Sequence, residues 1–238
     1  MSGALLPMRG GGSLVQQAMQ AVTGHIRGQA LKVGDTLPSE GHFATELGVS
    51  RAVMREAFGA LAALNLIDVA NGRRPRVAAL DSSPLAASMS QAVSTDQVSV
   101  PQVWDVRRTL EVRTAELAAA NRTADEAARI ADLAEAMAEA GDDLPLRASH
   151  DIAFHLAIAQ ATHNELYNQI VASFGPLMTV AIPTAWRTRE TQAQRLAVLD
   201  NHRAVARAIA EGDPAAARQA METHFDESVG HLLAGLEG

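Results

Sequence analysis

The stretch SRAVMREAFGAL, Ser50 to Leu61, constrains this chain more than any other. Met54, Ala57, Phe58, Leu61 and then Leu64 recur at steps of three and four, which predicts a helix with one apolar stripe to bury. Arg51 and Arg55 lie off that stripe and four apart, so they stack on one exposed face near the helix's first turn. Two guanidinium groups aimed out of a helix start suit phosphates and guanine edges. Upstream, GHFATELG (Gly41 to Gly48) reads as a shorter helix closed by Gly48, and Gly48-Val49-Ser50 as a tight connection with Ser50 capping the next helix. Downstream, LIDVANGRRPRVAAL offers two β-prone runs, Leu66 to Val69 and Arg76 to Val77, around the hairpin signal Asn71-Gly72. A helix-turn-helix followed by a basic hairpin is a winged one.

The net charge of −7 would argue against nucleic acid if it were evenly spread, but residues 1–80 carry +3 and the remainder −10. A basic head on an acidic body fits a DNA-binding module joined to one that does not bind DNA, although an excess of this size is also common on ordinary surfaces. The chain has no cysteine, which excludes disulfides and thiol chemistry and fits a reducing compartment. No apolar run reaches the roughly 18–20 residues of a membrane helix, and MSGALLPMRGGGS lacks an export signal, so the expectation is a soluble, cytoplasmic protein with no membrane partner. Tyr167 is the sole tyrosine, which disfavours single-strand binding by base stacking.

Taken in order, residues 1–12 are glycine-rich and read as disordered, 13–80 as the winged helix-turn-helix, 81–101 as a linker with a short helix over Leu85 to Val93, and 102–234 as an all-helical domain. A first helix is expected over Leu14 to Gly28, with Leu14, Ala18, Ala21, Val22 and Ile26 on one face, and Ser39 is placed to cap the second. Beyond residue 101 the periodicity predicts helices over 102–121, 124–140, 144–162, 164–181, 190–211 and 214–234, a six-helix antiparallel bundle. The fold class is therefore mainly α, with a small β-hairpin wing.

Within the bundle, Asp151 and His155 in SHDIAFHLAIA are four apart and share a helix face, while His202 and His224 lie on two further helices. One carboxylate and three imidazoles could meet at one point and suit zinc, nickel, iron or manganese. Surface or satisfied core histidines are the commoner outcome for such residues. His231 is about two turns from His224 and reads as peripheral, while His150 and His163 read as solvated, and Arg187 and Arg189, after Pro183 and Trp186, as loop charges or as residues that reach a ligand mouth. Arg107 in DVRRTLE could pair with Glu111 on the surface of one helix or serve a ligand. A metal-dependent enzyme acting on a small organic acid, and a purely structural metal site, are alternatives to a sensor.

Residues 13–80 resemble the DNA-binding domain of GntR-type bacterial transcription regulators, through Leu37-Pro38-Ser39-Glu40, Leu47-Gly48-Val49-Ser50-Arg51 and Arg55-Glu56-Ala57. Family members usually place an arginine directly after the Pro-Ser-Glu, where this chain has Gly41, so one expected DNA contact is missing. Residues 102–234 are similar to the FCD effector domain of the FadR subfamily, through D-x-x-F-H, Asn164, His202 and His224. The resemblance implies a homodimer on a palindromic operator, with Ser50, Arg51 and Arg55 at bases and phosphates and Asn71, Gly72 and Arg73 of the wing near the minor groove. It implies a divalent metal, zinc first, on Asp151, His155, His202 and His224, and an effector site using Arg107 and Asn164. The wing sequence NGRRPR looks like that of sugar-acid-responsive relatives, so a small carboxylate, a sugar acid or a dicarboxylate, is the expected effector. The default reading is a repressor, although the residues leave open whether the effector releases or promotes DNA binding.

Overall fold

In a computed structural model of the chain, residues 12–70 and 72–236 are described, with side chains as far as Glu227. Residues 1–11 and Asn71 lie outside the described residues, as does the side chain of His231. The chain divides into two compact units, Met1–Pro84 and Leu85–Gly238.

In the first unit, serine caps set the helix starts. Ser13 opens α1 (Leu14–Gly28) with a capping box, its Oγ accepting from the Gln16 amide at 3.2 Å while Gln16 Oε1 accepts from the Ser13 amide at 3.0 Å. Ser39 caps α2 (Glu40–Leu47), and Ser50 caps α3 (Arg51–Ala63), its Oγ accepting from the Val53 amide at 3.2 Å. Between α2 and α3 the chain reverses at Gly48, whose φ of +67° is a bearing that residues with a Cβ rarely take. Ala18, Val22, Phe43, Met54, Phe58, Leu61 and Ile67 close into one core. Leu14 and Leu64, the expected ends of two apolar stripes, are instead exposed: the first opens its helix, and the second is a C-cap where the chain leaves the helical path.

The wing is short. Strands β1 (Ile67–Asp68) and β2 (Arg76–Val77) pair antiparallel, Ile67 opposite Val77 and Asp68 opposite Arg76. Both strands fall within the runs expected from the sequence. Pro75 is buried and has no amide to give a ladder, which ends the pairing at Arg76. Its carbonyl accepts from the Leu37 amide at 2.7 Å, and the Gly34 amide donates to the Val77 carbonyl at 2.9 Å. The segment before α2 thus forms the other edge of the wing.

The second unit is all-helical among the described residues: α4 (Ser83–Ser94, from its third residue), α5 (Val100–Asn121), α6 (Ala124–Glu139), α7 (Leu144–Ala161), α8 (Glu165–Ser173), α9 (Gly175–Arg187), α10 (Gln192–Glu211) and α11 (Pro214–Leu236). Helix α5 packs on α11 and α7, α6 on α7 and α10, and α9 on α7 and α11, around Trp104, Ile130, Phe154, Ile158, Ile209 and Phe225. The single helix expected over 164–181 is two helices. Pro176 lacks an amide and its ring crowds the preceding turn, so α8 ends at Ser173 and a new helix starts at Gly175. Helix α9 then runs through Pro183 to Arg187, past the expected end, and brings Trp186 into the packed interior. No helix among the described residues is long and apolar enough to cross a membrane.

Candidate functional site

On the first unit, Arg51 and Arg55 are both exposed one turn apart at the start of α3. Arg55 has 80% of its side chain in solvent and only a loose 4.0 Å approach to Glu40. The Ser50 hydroxyl is spent on capping α3. Gly72, with φ of +75°, and Arg73 are exposed on the wing loop, where Arg74 and Arg76 add two more exposed cations. Asn71, proposed beside them, lies outside the described residues. At Gly41 an added Cβ would meet nothing closer than Ser39 Oγ at 3.9 Å, so the missing arginine is not excluded by packing.

In the second unit, α7 supplies Asp151 and His155, α10 His202 and α11 His224. The three imidazoles are buried, and each offers a ring nitrogen within 4.8 Å of the others'. The ring centroids of His202 and His224 are 4.4 Å apart, and those of His155 and His224 5.1 Å. Asp151 bridges two of the rings: its Oδ2 is 3.1 Å from His202 Nε2 and its Oδ1 is 3.7 Å from His155 Nε2. Behind the cluster, His155 Nδ1 meets Glu111 Oε2 at 2.5 Å, and His202 Nδ1 donates to the Val198 carbonyl at 2.7 Å. Held at Nδ1 by the Val198 carbonyl, the His202 ring turns its Nε2 toward Asp151.

The electrostatics of the cluster follow from burial and from these contacts. Burial pushes His224 well below the usual imidazole range, and the neighbouring His202 and His155 push it further, so its ring is neutral near pH 7. Burial would raise Asp151, but the hydrogen bond from His202 and the nearby imidazoles hold it well below the usual carboxylate range. Burial would likewise raise Glu111, yet Arg107 and His155 hold it at about 2. A neutral His224 ring beside an ionised Asp151 is what a divalent cation requires of those two donors. The donor set therefore fits a metal ion.

Arg107 resolves differently from either alternative taken alone. It does pair with Glu111 on its own helix, Nε to Oε1 at 2.6 Å, but the pair is buried rather than at the surface. Its guanidinium lies 4.9 Å from the Trp104 ring, touches the Met178 sulfur through Nη1, and lines the same cavity as the histidines. Asn164 is a correction. It is exposed, its side chain caps α8 by accepting from the Leu166 amide at 3.1 Å, and it does not line the cavity, because the break after His163 needs a cap there.

Of the two arginines at the end of α9, Arg189 is buried on the cavity wall, whereas Arg187 is exposed. Arg147 and Trp186, not singled out from the sequence, line the cavity too. Arg147 was within reach of the reading, since Arg147, Asp151 and His155 follow at steps of four along α7 and so share one face. The Arg147 guanidinium stacks 3.9 Å from the Trp186 ring and donates to the Met137 carbonyl at 2.6 Å and to the Gly141 carbonyl, beyond the end of α6. Arg189 donates to the Ala185 carbonyl at 2.7 Å at the end of α9.

A helix-turn-helix head with exposed arginines, joined in one chain to a helical unit with a histidine-lined cavity, is the layout of a one-component DNA-binding regulator. The chain belongs to the GntR family of bacterial regulatory proteins, whose family pattern matches residues 14–77, and it carries an FCD domain over residues 102–227. The HTH-type transcriptional regulator LutR of Bacillus subtilis (strain 168) is 31% identical over 88% of this chain and 96% of its own length. The Glc operon transcriptional activator of Escherichia coli (strain K12) is 32% identical over 82% of this chain and 79% of its own. The solved structure of Streptococcus agalactiae GntR superposes with a TM-score of 0.62 at 26% identity, covering 90% of this chain and 97% of the other. These relatives are named as transcription regulators, and this chain is a regulator of that family rather than an enzyme.

Proposed function

We propose that this regulator controls a metabolic operon in response to a small carboxylate or sugar acid, bound in the helical cavity at a divalent metal held by Asp151, His155, His202 and His224. The observation that supports it most is the convergence of three buried ring nitrogens within 4.8 Å of one another, two of the rings anchored from behind by Glu111 and Val198. Nitrogen-rich ligation with one carboxylate fits zinc first, with nickel, manganese or iron as the other fits. When bound, the ion supplies a Lewis-acidic anchor for a carboxylate oxygen. The protein's own part is to orient the imidazoles, to exclude bulk water and to present Arg107 at the wall.

On the DNA side, a homodimer would place two copies of α3 in successive major grooves of a palindromic operator, Arg51 and Arg55 contacting bases and phosphates while Gly72 and Arg73 approach the minor groove. The test uses full-length protein purified without chelator. Metal content is measured for the wild type and His202→Ala, and operator affinity is followed by fluorescence anisotropy with and without candidate acids. The reading expects bound metal in the wild type, its loss in His202→Ala, and an acid-dependent change in operator affinity only when metal is present. Metal-free wild-type protein, or an operator affinity indifferent to every acid tried, would sink it.

A further inference from the structure

The cavity holds more positive charge than its protein partners neutralise. Arg107 is matched by Glu111, and Asp151 is engaged by His202 and His155. Arg147 and Arg189 are both more than nine-tenths buried, yet their hydrogen bonds run to backbone carbonyls, and neither has a carboxylate partner among the described residues. The Nε of each is buried without a hydrogen-bond partner among those residues. Both flank one indole, with guanidinium carbons 3.9 and 5.5 Å from the Trp186 ring. Both residues line the cavity, and a buried guanidinium with neither a carboxylate nor a partner for its Nε is costly to leave without an anion, so the pair suits an oxygen ligand.

We infer that the effector is a short-chain dicarboxylate, one carboxylate facing the histidine cluster and the other received by Arg147 and Arg189 against Trp186. This rests on the reading of the cavity as the effector site and narrows it. Arg147 sits two helical turns from His155 along α7, with Asp151 midway, so the two anion-binding ends are separated along one wall and a single carboxylate does not serve both. The cavity volume of about 40 Å³ is about three times what one water needs, which favours a short diacid over a full-length sugar acid. Burial draws the Arg189 guanidinium down to about 10, still fully charged at neutral pH, so the second end attracts an anion under all physiological conditions.

The experiment compares matched probes on zinc-loaded, full-length protein by titration calorimetry: malonate and succinate, each against its own monomethyl ester, which keeps the skeleton and removes one charge. The diacid is expected to bind at least tenfold tighter than its ester, and that ratio to fall toward one in Arg189→Gln and in Arg147→Gln. Because Arg147 also holds the end of α6 and its variant can lose the fold, the wild-type ratio and Arg189→Gln carry the test. Equal affinity of diacid and ester in wild-type protein overturns the dicarboxylate assignment while leaving the effector site standing. A ratio that survives in Arg189→Gln, with zinc content unchanged, overturns the arginine assignment. Failure of all four probes at full zinc occupancy, with longer acids binding instead, overturns the size argument, and failure of every acid overturns the effector-site reading itself.

Discussion

The two units use the same side chain in opposite surroundings. Arg51 and Arg55 stand in water at the start of α3, whereas Arg107, Arg147 and Arg189 are exposed by only 3%, 5% and 4%. An arginine in solvent costs the fold almost nothing and contributes when it meets a phosphate, where it releases counterions and is screened by salt. A buried arginine is held by specific acceptors: Glu111 for Arg107, helix-end carbonyls and an indole for Arg147 and Arg189. The first arrangement suits a long, repetitive polyanion whose position is set by the DNA groove. The second suits a small anion that must displace water from a closed site and is recognised by shape and charge count.

The contrast can be broken most directly at Arg107. Arg107→Ala leaves Glu111 buried beside His155 without its main counter-charge, and the expected loss is about 3–5 kcal/mol of folding stability in urea. Arg55→Ala should change stability by less than about 0.5 kcal/mol. Similar losses for the two variants would erase the distinction between the inner and outer arginines.

A somewhat smaller effect is expected at the DNA face. Replacing Arg51 and Arg55 together by alanine should weaken operator binding by roughly 100-fold with circular dichroism unchanged, and Arg51→Ala alone should reduce the salt slope of log K by about one. Retained binding in a gel-shift titration would remove both residues from the interface.

The smallest expected effect concerns pH. His224 titrates lower in the folded protein than its ordinary value of 6.5, so its contribution to stability is complete above that value and is lost as pH falls toward the depressed one. Glu111, held at about 2 against an ordinary 4.5, contributes fully above 4.5 and loses that contribution on the way down to 2. Metal-free protein should therefore have a level melting temperature from about pH 8 to 6.5, a decline below that, and a steeper one below about 4.5. Anisotropy of DNA binding should not share the first step, because no histidine belongs to the proposed DNA contacts. A melting temperature constant between pH 7 and pH 5 would show that His224 is not held neutral by burial.

Much of the fold was readable because its boundaries are written in local chemistry. Ser13, Ser39, Ser50, Thr123, Asp143 and Thr191 each cap a helix through their own side chains, and Gly48 and Gly212 end helices in the left-handed region. The two runs of the wing were readable as well, but not the contacts that Pro75 and Val77 make with the distant segment 34–37. Of the cavity residues, Asp151 and His155 stand out by their spacing on one helix, and the same step taken backwards reaches Arg147. Arg189 and Trp186 carry no comparable signal. Their position depends on where α9 begins, and so on a break at Pro176 that periodicity alone had smoothed into one longer helix. Asn164 matched a motif by position, but its side chain answers a local need of the backbone.

That break at Gly175-Pro176 also makes α9 sensitive to its own length. Each residue inserted between Pro176 and Trp186 would rotate the indole about 100° around the helix axis, whereas four would return it nearly to its original bearing, one turn farther on. A single insertion or deletion there would swing the aromatic shelf and the nearby Arg189 away from the pocket without touching any histidine. On the proposed reading, the number of residues in this short helix would set which acids the pocket distinguishes, separately from whether it holds an ion.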